Sequence, residues 1–149
     1  MGKAVIGITY ENVVMCDCDN MDFEDVKKLA FKTLNKFNLG GFIIMNSSLG
    51  NYHIIFNEPQ PKNEVFRILG WMGIMSKNPN VWKWVCMQLI KDAVTLRIGY
   101  KYTSDGKVKN PPELCYSYGE LDKAVKDYLE TRQMILELLE SEKVEISIK

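Results

Sequence analysis

No apolar run in this chain approaches the length needed to cross a bilayer, which excludes a transmembrane helix. The N-terminus lacks the basic segment, apolar core and small-residue cleavage site of a secretory signal. The expected compartment is therefore the cytoplasm. Cysteine is scarce, with 4 residues and no CxxC pair, which argues against a closed structural zinc site. A disulfide framework is not expected in a reducing compartment. Histidine is scarcer still: His53 stands alone, which weighs against chemistry needing paired histidine ligands. Net charge is absent too, with 19 basic and 19 acidic side chains, so no strong non-specific grip on nucleic acid is expected. There is no internal repeat and no low-complexity segment.

What is present is ordinary in amount and uneven in placement. A chain of 149 residues with 46% hydrophobic and 26% charged content suits one domain over residues 1–149 with a real core. Residues 60–110 carry 9 basic and 3 acidic side chains, while the segments on either side are net acidic. The middle is the one candidate for an electrostatic footprint on an anionic partner. The alternative is a solvated surface with accidental asymmetry.

Patterning gives the elements. Lys3 to Tyr10 alternates as a strand, Glu11-Asn12 makes a tight turn, and Val13 to Cys18 follows as its hairpin partner. Asp22 is placed to cap a helix carrying Val26, Leu29, Ala30 and Leu34 on one face, and Asn38-Leu39-Gly40-Gly41 stops it. Phe42 to Met45 and Tyr52 to Asn57 read as strands around a turn. Lys62 to Ser76 reads as a helix weakened by Gly70 and Gly73, and Pro79 opens a third helix to Lys91. Ala93 to Thr103 alternates as a strand, with Asp105-Gly106 at the centre of a hairpin turn after it. Pro111-Pro112 stops any ladder. Gly119 to Ser141 is a long amphipathic helix, and Val144 to Ile148 alternates as a last strand. The order is α+β, with the split β-α-β core of ferredoxin-like and RRM-like folds, an N-terminal hairpin strand and a long C-terminal helix.

The segment Val13-Val14-Met15-Cys16-Asp17-Cys18-Asp19 ends in two carboxylates at spacing i, i+2. On a strand both side chains share one face. Two such acids repel, and a divalent cation that takes carboxylate oxygens, such as magnesium or manganese, relieves them. The alternative is that the acids cap the following helix, which suits Asp19 better than Asp17. His53 lies on a strand after the turn Ser47-Ser48-Leu49-Gly50-Asn51. Small-residue turns offer backbone N–H groups to phosphates. The alternative for His53 is a half-buried strand histidine with a hydrogen-bond partner. Arg97 shares a strand face with Thr95 and Lys101 and can fork onto phosphate oxygens, or make a cross-strand ion pair.

The ordered set of an apolar strand ending in Asp17-Cys18-Asp19, a helix, a strand, and Ser47-Ser48-Leu49-Gly50-Asn51-Tyr52-His53-Ile54-Ile55-Phe56 is similar to the catalytic core of the archaeo-eukaryotic primase superfamily. That family includes primase-polymerases of archaeal plasmids and viruses. Thr95-Leu96-Arg97-Ile98 also resembles a strand of its small members. The likeness spans residues 10–101. It implies a nucleotidyltransferase of DNA replication in which Asp17 and Asp19 hold magnesium or manganese. Ser47, Ser48, Asn51, His53, Arg97 and Lys101 would bind the nucleoside triphosphate. The family's motif usually has serine two residues before the histidine, where this chain has Asn51. The family also adds a later acid, and Asp92 is the one acid between Glu64 and Asp105. Asp92 either completes the metal site or sits at a helix end.

The implied partners are a nucleoside triphosphate, a single-stranded template and a further replication protein. Trp71, Trp82, Trp84, Tyr100 and Tyr102 lie in the basic middle, as core or as base-stacking platforms. Three other functions fit parts of the pattern. A degenerate module of the same fold would bind single-stranded nucleic acid or a replication partner without catalysis. A metal-dependent nuclease would use the two aspartates. A rolling-circle nickase would use Tyr128 as nucleophile, against the lone histidine.

Overall fold

The chain, in a computed structural model, is described over residues 5–148, with the backbone alone for residues 141–148. Its elements run β1 (Gly7–Tyr10), β2 (Met15–Asp19), α1 (Phe23–Phe37), β3 (Gly41–Ser48), β4 (Asn51–Phe56), α2 (Lys62–Met75) and α3 (Pro79–Lys91). Then come β5 (Val94–Arg97), β6 (Lys101–Tyr102), β7 (Val108–Lys109), β8 (Glu113–Gly119) and α4 (Ala124–Ile148). The main sheet is antiparallel in the order β2-β4-β3-β8. The crossover β2-α1-β3 leaves room for β4 between its two strands, which is the expected split β-α-β unit. The fold is α+β with a long C-terminal helix.

Alternation decides what each strand buries. Cys16, Cys18, Ile54, Ile44 and Phe42 are fully buried on one face. There α1 packs, with Phe31 edge-on to Phe42 at 5.1 Å and to Tyr118 at 4.7 Å. Met15, Ile55 and Ile43 on the other face are fully buried as well, so β2, β4 and β3 are covered on both faces at these rungs. Gly73 does not merely weaken α2. A Cβ there would lie 2.6 Å from the Trp82 ring, so the glycine lets α3 approach α2.

Four elements differ from the sequence expectation. The N-terminal strand does not form a hairpin with β2. It pairs with β5, Gly7 opposite Arg97 and Tyr10 opposite Val94, while Lys3 and Ala4 lie outside the described residues. The Ala93–Thr103 strand ends at Arg97, because Ile98 and Gly99 both donate to the Ile6 carbonyl and break the ladder. β8 forms right after Pro111-Pro112 as an edge strand on β3. The segment Val144–Ile148 is not a strand. Residues 124–148 contain neither glycine nor proline, and the backbone stays helical to Ile148.

α4 is started from outside its own sequence. The buried side chain of Asn57 accepts from Lys123 N (2.8 Å) and Val125 N (3.4 Å), and donates to Asp122 Oδ1 (3.1 Å). Its carbonyl accepts from Ala124 N at 3.0 Å. This supplies the N-terminal acceptors that a local serine or aspartate usually provides. Asn57→Ala should therefore cost about 3 kcal/mol, because it strands buried donors. Urea denaturation checks this. An unchanged midpoint would show that α4 does not depend on Asn57.

Candidate functional site

Where the two sheets part, a cavity of about 240 Å³ opens between β2, the β3–β4 turn, β5 and the β6–β7 hairpin. Asp17, Asp19, Ser47, Ser48, Asn51, His53, Arg97 and Lys101 all line it, so eight of the nine residues singled out in the sequence meet at one place. Thr95, Trp84 and Lys109 line it too. A larger groove of about 490 Å³ runs beside α1. Its charged residues, among them Asp22, Asp25, Lys28 and Lys32, are solvent-exposed. The smaller cavity gathers the buried and opposed charges.

Asp92 is the exception. It is the C-cap of α3 in the left-handed conformation, φ 61°, which aspartate tolerates. Its carboxylate is 73% exposed and pairs with Lys62 Nζ at 2.7 Å. It is a helix-end residue and no third ligand. Among the described residues no group of three His, Cys, Asp or Glu side chains is placed to hold a metal.

The cross-strand register sets the carboxylates. Asp17 stands opposite His53 and Asp19 opposite Asn51. Asp17 is only 19% exposed. Burial first, then the Asp19 carboxylate, pushes its pKa up to about 8, while Lys101 and Arg97 pull it back down. Asp17 Oδ1 is buried with no hydrogen-bond partner. His53 is 4% exposed. Burial, then Arg97, lowers its pKa to about 3. The 3.6 Å approach of His53 Nε2 to Asp17 Oδ1 is thus no ion pair: burial keeps the imidazole uncharged and favours the protonated form of Asp17. His53 Nδ1 also lacks a partner. The histidine is a neutral floor to the cavity, not an open cation.

The turn residues are already engaged. Ser47 Oγ donates to Asn51 O (3.1 Å), and Asn51 Nδ2 donates to Ser48 Oγ (2.6 Å). Asn51 Oδ1 accepts from Asn20 N (2.9 Å). Asn51 therefore braces the turn in the place where the resemblance expects a serine. Arg97 is engaged as well. Nη1 donates to the Gly99 carbonyl at 2.5 Å and the Asn110 carbonyl at 3.0 Å, and Nη2 to the Ser47 carbonyl at 3.2 Å. Three of its five N–H donors hold backbone carbonyls, which leaves only Nε and one Nη2 proton for the expected contact with phosphate.

Lys109 was missed in the sequence. It faces Lys101 across the β6–β7 ladder. An Asp105-Gly106 turn of two residues would set Lys109 opposite Tyr102; the loop is Ser104-Asp105-Gly106, closed by Thr103 N on the Lys107 carbonyl, and this one-residue shift brings the two lysines together. Like charges directly opposite on a ladder are unfavourable. The cavity thus sets two crowded carboxylates against two crowded ammonium groups. The two aspartates suit magnesium, which takes one or two carboxylates and completes its shell with water and phosphate oxygens. Such an ion would also meet the unpartnered Asp17 oxygen. Tyr128 lies elsewhere. It is fully buried on α4 with an unpartnered hydroxyl, and burial pushes its pKa up to about 12, which does not suit a nucleophile.

These shifts fix a pH dependence for the ligand-free protein. The folded state binds the Asp17 proton more tightly than the unfolded chain does. That contribution is complete below about pH 4 and is lost as pH rises through about 8. His53 acts oppositely: its contribution is present above about 6.5 and lost as pH falls through about 3. Asp17→Asn should remove the alkaline loss. The variant should gain on wild type by about 3 °C or more in Tm between about pH 5 and pH 9, on the order of 1 kcal/mol. A constant difference across that range would show that Asp17 is not protonated in the folded state.

No protein-family model, curated protein or solved structure matches the chain.

Proposed function

We propose that the cavity is the site of a metal-dependent nucleotidyltransferase of the primase or primase-polymerase kind, extending a nucleic-acid strand from nucleoside triphosphates. The observation that carries this reading is the facing of Asp17 and Asp19 by Lys101 and Lys109 around one cavity. A metal-bound polyphosphate is cationic at one end and anionic at the other, and it neutralises both pairs at once. Asp17 and Asp19 would hold magnesium or manganese, which supplies charge neutralisation for phosphoryl transfer when bound. Lys101 and Lys109 would take phosphate oxygens. His53, neutral and buried, would offer a hydrogen bond from the floor. The template would be a single strand, drawn by the basic middle of the chain, and a further replication protein would assist its capture.

A second reading has its own support. With Asp92 on the α3 end and three of the Arg97 donors engaged, the site keeps two carboxylates. A degenerate module of this fold would still bind nucleotide or single strand without chemistry.

Primer extension on a single-stranded template with manganese separates the two. The enzyme reading expects extension by wild type and none by Asp17→Asn, whose fold persists. Metal-dependent nucleotide binding without extension selects the module. Extension that survives Asp17→Asn would place the chemistry elsewhere and sink the proposal.

A further inference from the structure

Away from the cavity, α3 carries an uncovered apolar face. The helix buries Val81, Val85 and Gln88 along one side. On the other side Trp82, Met87, Leu89 and Ile90 are exposed, Ile90 at 80%. Apolar residues scattered singly on a surface are normal, but four on one helix of 13 residues form a patch that calls for a partner. The charges beside them have one sign. Lys83 and Lys91 are exposed, and α3 contains no acid.

α4 presents the complement. Among the described residues its last buried side chain is Tyr128. Beyond it Met134 and Leu138 are 63% and 65% exposed, with Glu130 and Glu137 exposed beside them. The two sets match in spacing. Lys83, Met87, Ile90 and Lys91 stand at i, i+4, i+7 and i+8, and so do Glu130, Met134, Glu137 and Leu138. Each set therefore forms one stripe along its helix. At 1.5 Å per residue the two lysines are about 12 Å apart along the axis and the two glutamates about 10 Å. Among the described residues no ion pair engages any of these four charges. Glu137 accepts from Gln133 at 3.0 Å within its own helix, which leaves its outer oxygen free for a cation.

We infer that a second copy of this chain covers both faces, the α4 stripe of each protomer lying on the α3 stripe of its partner. Charge selects this pairing. α3 on α3 sets lysine against lysine, and α4 on α4 sets glutamate against glutamate. Only α3 on α4 opposes unlike charges around an apolar centre. The same polarity runs through the sequence. Residues 60–110 carry 9 basic and 3 acidic side chains, residues 111–149 carry 5 and 9, and the whole chain has no net charge to hold copies apart. A single helix-on-helix contact of this length is small for a stable dimer. Made twice around a two-fold axis, it doubles the buried area and leaves neither stripe uncovered.

Sedimentation equilibrium of the full chain over roughly 1–500 μM protein tests this. Wild type should pass from monomer to dimer and go no further. Lys83→Glu with Lys91→Glu, and separately Glu130→Lys with Glu137→Lys, should each weaken the dimer by about tenfold or more, because each double change turns four attractive pairs per dimer repulsive. Mixed in equal amounts, the two double variants should form a heterodimer within about threefold of wild-type affinity, which also shows that both are folded. Lys28→Glu with Lys107→Glu makes the same change of net charge at exposed positions off both stripes, and should alter the affinity by less than about threefold. A wild type that stays monomeric throughout would overturn the inference, and growth past the dimer would overturn the reciprocal arrangement. Double variants that dimerise as wild type does, or that fail to recover on mixing, would overturn the pairing of α3 with α4. So would an equal loss in the Lys28 and Lys107 variant.

Discussion

Hydrogen bonds that the Arg97 guanidinium donates to three backbone carbonyls link what the ladders leave apart. The main sheet ends at β2, and β5 pairs only with β1. The β6–β7 hairpin has its own two-stranded ladder and no hydrogen-bonded strand neighbour in either sheet. The guanidinium reaches Ser47, Gly99 and Asn110 at once, so one side chain closes the seam between sheets and sets the hairpin over it. Its part-burial lowers its pKa, while the nearby Asp17 and Asp19 carboxylates raise it. The planar fork matters here, since a lysine offers the charge without fixed parallel donors. The cavity lies where the sheets part, and Arg97 is one of the ties across it.

Inside that seam the protein carries unrelieved electrostatics. Two carboxylates share one strand face, one of them largely buried, and two lysines share one rung of a two-stranded ladder. Each pair is unfavourable alone, and the partial relief that Lys101 gives Asp17 does not remove the unpartnered buried oxygen. Structures keep such costs where a ligand repays them. The rest of the fold shows the opposite habit. Asn57 satisfies the start of α4 with its side-chain amide and its carbonyl, and Gln88, also buried, accepts from Thr95 N at 3.0 Å and donates to Trp84 O at 3.3 Å. Among the described residues, buried side-chain polar atoms outside the cavity find partners, with Tyr128 an exception, so the unsatisfied atoms of Asp17 and His53 set the cavity apart.

Much of the fold was legible because its signals are local. The spacing of Val26, Leu29 and Ala30, the stop at Asn38-Leu39-Gly40 and the Pro79 start of α3 need no tertiary knowledge. The errors came where long-range pairing outweighs pattern. The N-terminal strand alternates equally well beside β2 or β5, and nothing within it chooses. β8 leaves most of its residues exposed, so it lacks the hydrophobic signature of a buried strand. Val144 to Ile148 alternates, yet an unbroken helix reaches it first.

The site was legible by position and less so by role. Strand alternation puts Asp17 and Asp19 on one face, while His53 joins them and Lys109 meets Lys101 only through registers that the folded chain sets. What no spacing reveals is whether a side chain is free to act. Ser47, Asn51 and Arg97 reach the cavity, but their bonds run to groups that include Asn20 and Asn110, fixed only by the finished fold. Asp92 has the right charge and the wrong backbone: a helix end in the left-handed conformation turns its carboxylate to Lys62 and solvent. Residue type and order thus found where the chemistry can sit. The hydrogen bonds of the folded chain decide which of those residues have most left to offer a ligand, and foremost among these are two carboxylates, two ammonium groups and one imidazole nitrogen.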